Sequence, residues 1–124
     1  MKKLLVVDDS NLVHALCRQL LGRMRDLTLS FARNGEEALA WITKEGEPDL
    51  ILLDVNMPVM DGLECLRRLA AQGTSQRVPV VMVTTEGRDE DVRRGLEGGA
   101  TAYLRKPFAF QELRELVTRL GGRA

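Results

Sequence analysis

The sequence predicts an α/β domain in which five helices pack on both faces of a doubly wound, five-stranded parallel sheet. Two observations support this prediction. Short, continuous apolar runs recur along the chain, as expected for strands that are buried on both faces of a parallel sheet. Segments with apolar residues at helical spacing alternate with these runs, as in consecutive strand–helix units. The 124 residues are enough for one domain with a core, and we expect that domain to span residues 1–124.

Each predicted strand is bounded by polar or turn-forming residues. The second run alternates apolar and polar side chains, which favours an edge strand with one exposed side, whereas Pro48 and Pro79 precede two fully apolar runs. The five strands are Leu4–Val7, Leu27–Phe31, the run of residues 50–53 that ends at Asp54, Val80–Val83 and Thr101–Arg105.

The predicted helices begin at polar residues that can cap them. Ser10 or Asn11 can cap the first helix, Glu36-Glu37 opens the second, and Gly62 opens the third. Residues 89–96 predict a short, charged fourth helix that ends at Gly98-Gly99. The inward face of the first helix is predicted to carry Leu12, Val13, Leu16, Cys17, Leu20 and Leu21. That of the second carries Ala38, Leu39, Trp41 and Ile42, and that of the fifth carries Phe110, Leu113, Leu116, Val117 and Leu120.

Composition excludes several classes of protein. Lys plus Arg and Asp plus Glu number 18 each, so the net charge is zero and a general nucleic-acid surface is not expected. No apolar run approaches the roughly 20 residues of a membrane span, and Asp8-Asp9 interrupts the first run too early for a signal peptide. We therefore expect a cytoplasmic protein without a membrane partner. Cys17 and Cys65 are expected to be buried thiols.

Reactive side chains follow four of the predicted strands. In open parallel sheets the ligand site lies beyond the carboxyl ends of the strands. Five side chains should therefore converge on one edge of the sheet: Asp8, Asp9, Asp54, Thr84 and Lys106.

This set of side chains suits phosphoryl transfer. Clustered carboxylates repel one another unless a divalent cation or an ammonium group lies near them. Oxygen ligands select Mg²⁺, Mn²⁺ or Ca²⁺, and Lys106 supplies an ammonium. Asp54 ends the central strand alone and is the best candidate for a nucleophile that forms an aspartyl-phosphate. Asp8 and Asp9 would then hold the metal, and Asn56 can add a backbone carbonyl oxygen.

Four elements of the sequence together resemble the pattern of response-regulator receiver domains. They occur in the family's order and spacing over essentially the whole chain: Asp8-Asp9, the stretch from Asp54 to Gly62, Thr84, and Lys106-Pro107-Phe108. Residues 80–84 and 99–103 particularly resemble the stand-alone, CheY-like chemotaxis type. The resemblance implies a flavodoxin-like fold with strand order 2-1-3-4-5.

The resemblance also implies a role for each matching residue. Asp54 would accept a phosphoryl group from a sensor histidine kinase or a phosphotransfer protein, with Mg²⁺, or alternatively Mn²⁺, held by Asp8, Asp9, Asp54 and Asn56. Lys106 and the Thr84 hydroxyl would each bind a phosphoryl oxygen, and Tyr103 would swing inward as Thr84 moves. The Lys106–Pro107 bond would be cis. The chain would be a phosphoacceptor that catalyses only its own phosphorylation and dephosphorylation.

Three residues are expected to tune the lifetime of the phosphoryl group. Thr85 stands where the family usually has a small residue, and its bulk is expected to narrow the path to Asp54 and slow dephosphorylation. Asn56 and Glu86 flank the site and match the chemotaxis type, whose members lose the phosphoryl group quickly. Their identity therefore favours fast dephosphorylation.

The output is expected to pass to a protein partner through the fourth helix, fifth strand and fifth helix of a monomer. An aspartate-dependent phosphatase is the competing class, but it needs a general acid two residues after the nucleophile, where this chain has Asn56. A pseudo-receiver would lack an acid or the lysine, and a nucleotide-binding module would have a glycine-rich loop where Asp8-Asp9-Ser10 stands. The sole histidine, His14, is expected at the surface or boundary without a chemical role.

Overall fold

The computed structural model describes residues 2–24, 27–55, 57, 59–84, 93–95, 97–105 and 108–121. Its strands are β1 (Lys2–Val7), β2 (Leu27–Ala32), β3 (Leu50–Asp54), β4 (Val80–Thr84) and β5 (Ala102–Arg105). They form one five-stranded sheet in the order β2-β1-β3-β4-β5, and every neighbouring pair is parallel. The predicted doubly wound sheet and its strand order are therefore confirmed.

The helices alternate with these strands. They are α1 (Asn11–Leu21), α2 (Gly35–Glu45), α3 (Gly62–Ala71), a single-turn helix (Thr74–Arg77) and α5 (Phe110–Gly121), with residues 93–95 and 97 also helical and named α4 here. The single-turn helix was not predicted, because its four polar residues carry no apolar periodicity.

Side-chain caps fix where three helices begin. Ser10 Oγ accepts a hydrogen bond from Val13 N at the start of α1, and Asn34 Oδ1 accepts one from Glu37 N at the start of α2. Asp61 Oδ1 accepts the equivalent bond from Glu64 N at 2.9 Å in α3. These caps satisfy backbone donors that a helix leaves unpaired at its first turn.

The sheet is buried on both faces, because alternate residues of its central strands point to two separate apolar clusters. One cluster joins the sheet to α2 and α3 through Ala38, Ile42, Cys65, Leu66 and Leu69. The other joins it to α1 and α5 through Cys17, Leu21, Leu113, Val117 and Leu120. Cys17 and Cys65 are buried in different clusters and are not joined in a disulfide, as expected of packing residues.

The inward face of α1 differs from the prediction. Leu12 is 78% exposed, whereas His14 is only 5% exposed. The buried residues of α1 are His14, Cys17 and Leu21, at spacings of three and four. Leu12 lies two residues before His14 and therefore points to the opposite side of the helix. The surface or boundary position predicted for His14 was wrong, because the residue is buried.

None of the helices in the described ranges has the length and apolar character that crossing a bilayer requires. Most of the predicted fourth helix, residues 89–92 and 96, lies outside those ranges. Its predicted end is described: Gly99 has a φ of +111°, and Ala100 N donates to Gly95 O at 2.9 Å. A hydrogen bond that spans six residues in this way is typical of a helix that ends at a glycine with positive φ.

Candidate functional site

The register of the sheet brings the ends of β1, β3 and β4 to one edge. Val7 pairs with Leu53, so Asp8 comes level with Asp54 at the next position. Asp54 in turn pairs with Val83, which places Thr84 one residue beyond it. The carboxyl ends of the three strands therefore meet, as expected for a parallel sheet.

The predicted carboxylate cluster forms. One carboxylate oxygen from each of Asp8, Asp9 and Asp54 lies within 4.8 Å of the other two. Asp8 and Asp54 are 2% and 4% exposed, whereas Asp9 faces solvent. Burying two negative charges beside a third is costly unless positive charge compensates them. Three converging carboxylate oxygens are a donor set for a hard divalent cation, so these residues fit a Mg²⁺ or Mn²⁺ site.

Asp8 is held by hydrogen bonds from three directions. Its backbone N donates to Ala32 O at 3.0 Å on neighbouring β2. Its Oδ1 accepts a bond from Ser10 N at 2.9 Å, and its backbone O lies 2.7 Å from His14 Nε2. The position of this carboxylate is therefore determined by β2, by the turn after β1 and by α1.

The first turn of α3 approaches the Asp54 backbone closely, and Gly62 allows it to do so. Gly62 N donates to Val55 O at 2.8 Å. A Cβ at Gly62 would collide with the Asp54 carbonyl oxygen and would lie 2.8 Å from Val55 Cα. The first turn of α3 thus packs directly on the backbone that presents Asp54, and only glycine leaves room for it.

An apolar floor lies beneath the carboxylates. A small pocket that touches Asp8 and Asp54 is lined by apolar side chains from the sheet, from α1 and from Phe108, including Val13, Cys17, Leu52 and Val83. Water is largely excluded from such a floor, and charge interactions above it are screened less than in bulk solvent.

Thr84 ends β4 and is 3% exposed, while Tyr103 lies on edge strand β5 and is 36% exposed. Thr84 pairs with Arg105, so β5 leads toward the same edge of the sheet. Four predicted site residues, Asn56, Thr85, Glu86 and Lys106, lie outside the described residues, as does the Lys106–Pro107 bond expected to be cis.

Two residues beside the site were missed by the sequence analysis. His14 bonds the Asp8 carbonyl, as described above. Arg33, in the turn after β2, donates from Nη1 to Asn11 Oδ1 at 2.7 Å and from Nη2 to Asp9 O at 3.4 Å. The spacing of three and four residues from His14 to Cys17 and Leu21 is a signal that could have identified its buried position, whereas no sequence signal pointed to Arg33.

Comparison with known proteins agrees with this arrangement. Residues 4–118 match the family model for the response regulator receiver domain. A chemotaxis protein CheY homolog of Campylobacter jejuni is 37% identical over 113 residues, which cover 91% of this chain and 87% of that protein.

Solved structures give the same result. Chemotaxis protein CheY4 of Vibrio cholerae is similar with a TM-score of 0.87 at 36% identity, covering 97% of this chain and 98% of that one. The Mn²⁺-bound form of response regulator Rcp1 has a TM-score of 0.87 at 29% identity, covering 100% of this chain and 97% of that one. The family match spans almost the whole chain and the strand order agrees with the resemblance, so this chain belongs to the family of response-regulator receiver domains.

Proposed function

We propose that this chain is a phosphorylation-dependent switch in two-component signalling and that Asp54 is the residue that accepts the phosphoryl group. The observation that carries the proposal is the placement of Asp54. It ends the central strand of the sheet, is 4% exposed, and has a carboxylate oxygen within 4.8 Å of oxygens from Asp8 and Asp9.

In the proposed reaction an Asp54 carboxylate oxygen attacks phosphorus. A P–N bond to the imidazole of a donor phosphohistidine breaks as the O–P bond forms, and the ring nitrogen departs with the bonding electrons and takes up a proton. The acceptor is a weak nucleophile surrounded by negative charge, so positioning and charge neutralisation must supply most of the catalysis. Lys106 and the Thr84 hydroxyl are the proposed partners of the phosphoryl oxygens.

We propose Mg²⁺ as the resident cation, with Mn²⁺ as an alternative. Asp8, Asp9 and Asp54 would hold it through carboxylate oxygens, and Asn56 would add its backbone carbonyl. When bound, the cation neutralises the carboxylates and the incoming phosphoryl oxygens. The Mn²⁺-bound form of the similar Rcp1 supports a divalent cation in this family.

The signal would leave the site through Thr84 and Tyr103. Thr84 is buried beside the carboxylates at the end of β4, and Tyr103 lies on the adjacent strand with more than a third of its surface exposed. A phosphoryl group adds charge and strong acceptors at Asp54. We propose that Thr84 moves toward the phosphoryl group. This movement would shift an existing equilibrium between two conformations of the face formed by α4, β5 and α5.

The partners proposed are a sensor histidine kinase or phosphotransfer protein at the site and an output protein at the α4–β5–α5 face, with the chain acting as a monomer. We propose a cytoplasmic location, since Cys17 and Cys65 are not joined in a disulfide, which agrees with a reducing compartment. No activity beyond the chain's own phosphorylation and dephosphorylation is proposed.

A phosphorylation assay tests the central proposal. The chain is incubated with acetyl phosphate and Mg²⁺, and the product is examined by mass spectrometry for one added phosphoryl group that is stable to acid and labile to base. We expect modification of the wild type, none of Asp54→Asn, and a strongly reduced rate when the divalent cation is chelated.

Asp49→Asn is the matched control, because Asp49 directly precedes the amino end of the same strand, and its Oδ2 accepts an exposed hydrogen bond from Lys3 N at 2.7 Å. It should be phosphorylated at the wild-type rate. Equal modification of Asp54→Asn and wild type would disprove the role of Asp54, and sustained turnover of many phosphomonoesters would identify a phosphatase instead.

A further inference from the structure

His14 lies at the junction of α1, β2 and the acidic site. Its ring centroid is 4.8 Å from that of Phe31 on β2, with the two planes tilted by 41°. The Arg18 guanidinium carbon lies 4.4 Å above the same Phe31 ring. His14 Nε2 approaches the Asp8 backbone oxygen to 2.7 Å. The imidazole is therefore fixed in orientation by packing on one side and by a short polar contact on the other.

The polar contact determines which ring nitrogen carries hydrogen. A carbonyl oxygen only accepts hydrogen bonds, so Nε2 must be the donor. Of the three bonds that fix Asp8, those to Ala32 O and from Ser10 N are made by backbone groups, and only the bond from His14 is made by a side chain. Among these three bonds, it is the one that a change of side chain removes without altering a backbone group.

We propose that His14 is a positioning residue for the divalent cation. By holding the carbonyl of Asp8, it fixes the peptide from which the Asp8 carboxylate projects toward Asp9 and Asp54. The inference rests on the proposed function, because it presumes that the carboxylates bind a metal. Residues that orient metal ligands typically change metal affinity by 10–100-fold when they are replaced. Because His14 acts on the backbone of Asp8 rather than on its carboxylate, we expect about tenfold weaker binding on its loss, the lower end of that range.

A core histidine without this role would behave differently. Its replacement would lower the stability of the fold, but the folded fraction would bind metal as the wild type does. Metal affinity measured on folded protein therefore separates the two roles, whereas stability alone does not.

Three substitutions isolate the hydrogen bond. His14→Leu keeps an apolar group of moderate size and removes the donor. His14→Gln keeps an amide donor at a reach similar to Nε2. Arg18→Ala removes the contact with Phe31 and leaves the His14 bond in place, so it controls for disturbance of the α1–β2 packing.

The experiment is a Mn²⁺ titration of each folded variant, followed by electron paramagnetic resonance of the free ion. We expect His14→Leu to bind about tenfold more weakly, and His14→Gln and Arg18→Ala to bind nearly as the wild type does. Wild-type affinity in His14→Leu, or an equal loss in His14→Gln and His14→Leu, would overturn the inference while leaving the metal site intact. Absence of Mn²⁺ binding by the wild type would overturn the metal site itself.

A measurement on the wild type keeps the inference open to refutation if His14→Leu does not fold. Nitrogen-15 NMR of the imidazole distinguishes a protonated from a bare Nε2. We expect Nε2 to be protonated and its resonance to shift when Mg²⁺ is added. A bare Nε2, or a resonance that Mg²⁺ leaves unchanged while the site fills, would overturn the proposed role.

Discussion

Val59, in the loop between β3 and α3, has a φ of 67°, in the left-handed region of backbone conformation. A β-branched residue at such an angle is sterically strained, at a cost of order 1–3 kcal/mol. Val59 is also 74% exposed, so its side chain gains little packing energy in return. The strain lies in the loop that begins directly after Asp54, and strained backbone is commonly found beside functional sites.

We expect Val59→Gly to raise the free energy of unfolding by about 1 kcal/mol. Glycine adopts a positive φ without a steric cost. The strain energy that is relieved outweighs the larger conformational entropy that glycine loses on folding. Val59→Ala is the matched control, because its Cβ retains most of the strain, and its gain should be less than half as large. Urea denaturation measures both, and a Val59→Gly variant less stable than wild type would contradict the strain.

Gly62→Ala should damage both the fold and the site. The added Cβ would meet the Asp54 carbonyl oxygen and Val55 Cα, which are backbone atoms that cannot swing aside. We expect a loss of about 1–3 kcal/mol in unfolding free energy, as for overpacked interiors, together with slower phosphorylation by acetyl phosphate. Gly95→Ala is the control, since among the described residues its Cβ would meet the flexible Met82 side chain, at 3.3 Å. Equal effects at the two positions would refute the close approach.

At the scale of elements, α3 carries a buried thiol with an unusual pKa. Burial raises the pKa of Cys65 to about 12 from its ordinary 9.0, with Asp61 and Glu64 adding to the rise and Arg68 opposing it. The folded chain therefore holds this proton more tightly than the unfolded chain. Its contribution to stability is complete below pH 9 and is lost as the pH rises toward 12.

Cys65→Ala should make unfolding less sensitive to alkaline pH. Above pH 9 we expect the wild type to lose up to about 1.4 kcal/mol more per pH unit than the variant. Tyrosine and lysine titrate in both proteins, so the difference between the two slopes isolates the thiol. Urea denaturation at a series of pH values from neutral to alkaline measures it, and parallel curves would show that Cys65 does not titrate differently on folding.

The elements that the sequence predicted well are those with a strong periodic signal. The central strands were found because both faces are buried, and the carboxylates were placed correctly because parallel strands bring their carboxyl ends together. The inward face of α1 was mispredicted because hydrophobicity favoured Leu12 over His14, whose place was decided by packing on Phe31 and by the Asp8 carbonyl. The hydrogen bond from Arg33 to Asn11 joins the turn after β2 to the start of α1. No periodic pattern in the sequence predicts such a contact.

At the scale of the whole molecule, the fold and the site make opposing demands. Two apolar layers stabilise the sheet from both faces. The edge of the same sheet holds three carboxylates with oxygens within 4.8 Å of one another, two of them buried. Carboxylates this close together repel one another, and a bound cation would relieve that repulsion. Stability and cation concentration should therefore be coupled.

Asp54→Asn tests this coupling. Without divalent cations, each protein gives a reference value for its free energy of unfolding. Added Mg²⁺ should stabilise the wild type by about 2.7 kcal/mol at a hundred times its dissociation constant, and the variant much less, since a ligand is lost. Urea denaturation with chelator and with Mg²⁺ gives both values.

Asp49→Asn, at the far edge of the sheet, should respond to Mg²⁺ as the wild type does. An equal gain from Mg²⁺ in Asp54→Asn and wild type would mean that the cation binds elsewhere, and the acidic edge would then lose its role as the metal site.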